Sequence, residues 1–79
     1  MNAADAQDAK HRLLHQNDTY RQLAEQHHLL DDRLHELTGK PFLSTSEQLE
    51  EVTIKKRKLA LKDQMETIAR EYLQTSRAS

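Results

Sequence analysis

The residues best suited to chemistry in this 79-residue chain are its five histidines: His11, His15, His27, His28 and His35. His11 and His15 stand four apart, so on a helix they share a face and could grip one metal ion. His28, Asp32 and His35 also share a face. A structural or catalytic zinc site needs three or four convergent ligands, and neither set contains a His-Glu-x-x-His motif. Without cysteine, thiolate zinc sites and disulfides are excluded. The serines and threonines fall mostly in a central loop and in the C-terminal stretch, and no motif places a base beside them. There is no Gly-rich phosphate loop. The expectation is no catalytic residue, no metal ligand and no cofactor: the chain is read as a non-enzyme.

A second candidate is the segment "IKKRKLALKDQM", residues 54–65. Lys55, Lys56, Arg57, Lys58 and Lys62 are possible contacts for a polyanion such as RNA or DNA. At 100° per residue, however, residues 55–58 point in four directions. Glu51 can pair with Lys55, and Lys62 with Glu66, at the favourable spacing of four. No aromatic platform for stacking bases accompanies the cluster. Net charge is −1, which is not the signature of a polyanion-binding domain. The cluster is better read as the solvated side of a packed helix, and an accessory nucleic-acid-binding role as the alternative.

The elements that must carry these residues are helices. Apolar residues make up 35% of the chain and charged residues 32%, with one Gly and one Pro, which favours helix nearly throughout. Gly39 and Pro41 stand together near the middle, so the simplest object is a hairpin of two arms. The first arm, about 4–37, carries Leu13, Tyr20, His27 and Leu34 at one heptad position and Leu23, Leu30 and Leu37 at the other, continued upstream by Ala6 and Ala9. This is a coiled-coil-type seam, interrupted by Gln16 and His27. The second arm, about 45–74, presents Ile54, Leu61, Met65, Ile68 and Tyr72, with Glu51 and Lys58 as polar members. A hairpin centred near Phe42 sets Leu30 by Ile54, Leu23 by Leu61, Tyr20 by Met65 and Leu13 by Tyr72. His27 then faces Lys58, and is read as a partly buried histidine bonded to Asp31.

The loop, 38–44, has its own signals. Gly39 suits a left-handed helix terminus, Pro41 prevents continuation, and Ser44 with Glu47 has capping-box spacing. Phe42 and Leu43 are expected to plug the end of the hairpin. Asn17-Asp18-Thr19 marks a candidate break that would leave a short extra N-terminal helix. Either Asn17 caps the following helix, or Thr19 does so with Gln22. Residues 75–79 are expected to fray.

Some leucines are unused by the seam. Leu14 and Leu29 lie off it, and Leu49, Val52 and Leu59 cluster on the second arm opposite Ile54 and Leu61. A chain this short, with few aromatics and no disulfide, has little apolar burial to set against chain entropy, and oligomerisation is the usual remedy. Leu49, Val52 and Leu59 are therefore the expected surface for another copy or a protein partner, in a dimer or small helical bundle. No apolar run exceeds three residues, so a single cytoplasmic domain over 1–79 is expected, with no membrane span or signal segment.

Two segments carry a family resemblance. "QNDTYRQLAEQHHLLDDRLHEL" contains a His-x-x-Leu-Asp-x-x-Leu pattern as His27, Leu30, Asp31 and Leu34, and "KKRKLALKDQM" follows after a loop of suitable length. Together, over about residues 16–68, they resemble the YdcH-like family of small bacterial proteins. The resemblance implies a short bacterial helical hairpin. It implies no activity and carries over no catalytic residue. That family often has Pro after the position of Asn17. Asp18 stands here, so a break is permitted rather than forced.

Overall fold

The computed structural model describes the backbone of residues 3–78 and the side chains of residues 7–75. Three helices follow one another: α1 (Ala3–Gln16), α2 (Asp18–Thr38) and α3 (Thr45–Ala78). The molecule is an antiparallel hairpin, a rod of 53 × 20 × 19 Å. α2 packs along α3, and α1 touches both. The heptad spacing produces this directly, because residues three and four apart line one side of each helix and meet across the rod. Ala9, Leu13, Tyr20, Leu37, Ile54 and Leu61 are buried. Leu23, His27, Leu30, Leu34, Met65, Ile68 and Tyr72 are half-buried around them. The side chain of Ala6 and the whole of Ser79 lie outside the described residues.

The first arm is two helices, separated by one residue. Asn17 is extended, at φ −122 and ψ 109, and its side-chain Oδ1 accepts the Tyr20 N–H at 2.8 Å. Its own N–H still reaches Leu13 O at 2.9 Å, while its carbonyl accepts from Arg21 at 3.0 Å. Asn17 thus ends α1 and caps α2 at once, and Thr19 lies inside α2 rather than capping it. Removing the cap orphans a helix donor, so Asn17→Ala should cost about 0.5–2 kcal/mol. The expected thermal-melt result is a drop of about 4–8 °C per kcal/mol, with Asn17→Asp, which keeps an acceptor, close to the parent.

Three details at the turn and beyond differ from expectation. Gly39 is right-handed, at φ −77 and ψ −11. The chain leaves α2 by tightening instead, with Gly39 N–H donating to His35 O and Lys40 N–H to Leu37 O, both at 3.1 Å. Pro41, which has no N–H to donate, makes the stop. Phe42 does not plug the hairpin: it is 88% exposed, while Leu43 is half-buried. The reason is geometric: a three-residue exit puts Phe42 at the tip, past the last layer of the seam. α3 also runs to Ala78, beyond the expected end near Gln74. Its start matches the Ser-x-x-Glu spacing: Ser44 Oγ accepts from Glu47 N–H at 3.2 Å, and Glu47 Oε1 accepts from Ser44 N–H at 3.0 Å.

Candidate functional site

Because α3 packs on α2 through Ile54 and Leu61, residues about half a turn away point outward. These are Leu49, Val52 and Leu59, exposed by 66%, 51% and 62%. Three apolar side chains at spacings of three and seven form a continuous line along the helix. Lys56, also exposed, lies on that line between Val52 and Leu59, and Asp63 and Glu66 continue it. Among the described residues, none of these three charged groups takes part in an ion pair. On the other arm Leu29 is 67% exposed. It lines a shallow groove of about 640 Å³ with Leu14 and Ala24, rimmed by His15, Arg21, Glu25 and His28.

The basic segment is divided among surfaces. Lys55 is exposed and bonds to Glu51 at 3.2 Å, and Lys56 and Arg57 are exposed. Lys58 turns inward and bonds to Asp31 across the hairpin, holding that carboxyl below its ordinary range. Lys62 turns toward a cleft of about 460 Å³ shared with Lys10, His27, Lys58 and Glu66, floored by Tyr20 and Met65. Burial raises the Tyr20 hydroxyl pKa. The Lys62–Glu66 ion pair is not formed. His27 makes no bond to Asp31, whose oxygens are taken by Lys58 and, at 3.8 Å, His35. His28 stands 3.5 Å from Asp32. Among the described residues no three His, Asp or Glu side chains converge to hold a metal.

Besides Lys58 with Asp31, two further ties across the hairpin were not expected from the sequence. Arg33 grips Glu50 in a two-pronged pair, both contacts 2.9 Å, and reaches Glu36 at 3.0 Å. These carboxylates raise the Arg33 pKa, Glu50 more than Glu36, and Arg33 lowers that of Glu50. Lys40 bonds to Glu47, and with Ser44 it holds that carboxyl at about 2. The register expected to set Leu30 by Ile54 would also bring Arg33 near Glu50, so opposite charges flanking the seam were the available signal.

The family model described as "Protein of unknown function (DUF465)" matches residues 21–69. The chain belongs to that family. This DUF465 segment begins just inside α2 and ends within α3, so it covers most of α2, the turn and most of α3, and leaves out α1. It is consistent with the YdcH-like resemblance of the two sequence segments. No curated protein and no solved structure matches the chain. No helix among the described residues is long and apolar enough to cross a membrane.

Proposed function

We propose that this DUF465 chain is a non-enzymatic interaction module that self-associates, as a dimer or small helical bundle, through the outer face of α3. The observation that carries this reading is the exposed line of Leu49, Val52 and Leu59 on a helix whose other face is already used by the hairpin. Six residues are buried within the described hairpin, and one of them is an alanine. A second copy laid along α3 would cover the three aliphatic side chains and convert a two-helix layer into a four-helix bundle. The basic segment favours an interaction role through packing rather than polyanion capture, since its charges are spread over several faces and two are engaged by Glu51 and Asp31.

The test is mass in solution by light scattering over a wide concentration range. The expected mass is at least twice that of one chain. Leu49→Glu with Leu59→Glu should return it to one chain without loss of helical circular dichroism, because both positions are exposed in the single hairpin. A stably folded chain that stays monomeric at high concentration sinks the proposal.

A further inference from the structure

We infer that two copies of this chain meet with their third helices antiparallel, each copy's Lys56 facing its partner's Asp63 and Glu66. This rests on the self-association reading and fixes its direction. Leu49, Val52, Lys56, Leu59, Asp63 and Glu66 are spaced three, four, three, four and three apart, which is the spacing of a coiled-coil seam. All six are exposed; Leu49, Val52, Lys56, Leu59 and Asp63 lie on the side of α3 opposite Ile54 and Leu61, and Glu66 lies at its edge, where it also borders the cleft of Lys62 and His27.

The seam has a polarity. Its first part is apolar, with Lys56 set into it, and its later part is acidic. In a parallel pair every residue meets itself, so Lys56 would face Lys56, and Asp63 and Glu66 would face their own copies. Like charges placed together at an interface are penalised. In an antiparallel pair pivoting near Leu59, the two Leu59 side chains come together at the centre. Lys56 of each copy then lies beside its partner's Asp63, with the partner's Glu66 about one helical turn further along, within reach of the long lysine side chain. The two-fold axis makes this contact twice. Leu49 of each copy then lies beside its partner's Arg70, whose stem can cover apolar surface, and Val52 lies beside its partner's Glu66. Lys56, Asp63 and Glu66 have no ion-pair partner within the described hairpin, so the second copy supplies the missing one. A single lysine in an apolar seam weakens association but selects the arrangement that satisfies it.

The experiment is charge reversal read by sedimentation velocity at low salt, on the full chain. Lys56→Glu alone, and Asp63→Lys with Glu66→Lys, should each raise the dimer–monomer midpoint by about tenfold or more. Combining all three should restore the parent midpoint. Circular dichroism checks that each variant remains helical. A parent dimer that the reversals leave unchanged, or that the triple variant fails to restore, overturns the antiparallel arrangement and leaves self-association standing. A parent chain that is monomeric throughout overturns both.

Discussion

Leu37→Ala should lower the melting temperature by on the order of 10–30 °C. Leu37 closes the last layer of the seam, at the end of α2, and it is 0% exposed. Removing a buried leucine side chain costs about 2–5 kcal/mol, made up of lost transfer free energy and the cavity left behind. A domain of this size loses about 4–8 °C per kcal/mol. Collapse cannot refill the space easily, because the adjacent chain is the short exit through Gly39, Lys40 and Pro41. Leu29→Ala is the matched control: Leu29 is 67% exposed, and its replacement should stay within about 0.5 kcal/mol of the parent. If Leu37→Ala is too unstable to melt cooperatively, Ile54→Val should show the same effect at about 0.5–1.5 kcal/mol. Equal melting temperatures for the Leu37 and Leu29 variants would remove Leu37 from the core.

That layer was legible in the sequence because heptad spacing is a property of the helix itself. Apart from Gln16, which is exposed, every seam position from Leu13 to Leu37 on the first arm, and from Ile54 to Tyr72 on the second, is buried or half-buried in the structure. The same is true of Asn17 and Ser44, whose capping depends only on residues three positions away. What could not be read locally was set by the turn. The conformation of Gly39 and the exposure of Phe42 depend on how tightly the chain leaves α2, and the spacing of Gly and Pro does not encode that. Asp31 shows a similar limit. Helical proximity made it the neighbour of His27, yet Lys58, 27 residues away, outcompetes that contact as a full charge approaching across the hairpin. The outer line on α3 was visible as a pattern, but its polarity emerged only once Lys58 was drawn inward and Lys56 was left alone on the line. One cluster in the sequence is therefore two surfaces in the fold. Lys58 serves the hairpin, and Lys56 stands exposed on the outer line of α3.

The melting temperature should fall steeply as the pH drops from about 5 toward 2. Glu47, held by Lys40 and Ser44, titrates at about 2 in the folded chain against an ordinary 4.5. Asp31, through Lys58, and Glu50, through Arg33, are displaced in the same direction. Between the ordinary carboxylate range and these lower folded values, the unfolded chain binds more protons than the folded one. Stability therefore increases with pH across that window. The contribution is fully present above the unfolded pKa and is lost as pH falls through the folded one. Self-repulsion acts in the same direction: once the 13 carboxylates are neutral, 12 Lys and Arg plus 5 His leave 17 positive charges on 79 residues. Added salt should raise the acid-side melting temperature, because it screens that repulsion. Glu47→Gln separates the two causes. It removes one titrating partner, so it should lower the neutral melting temperature and flatten the acid drop, whereas repulsion alone would leave the slope almost unchanged. The contrast is read at a single site at the start of α3, where Lys40, Ser44 and Glu47 close the turn and set the register of the arms. A melting temperature that stays level from pH 5 to 2 would mean that these ties do not hold the hairpin together.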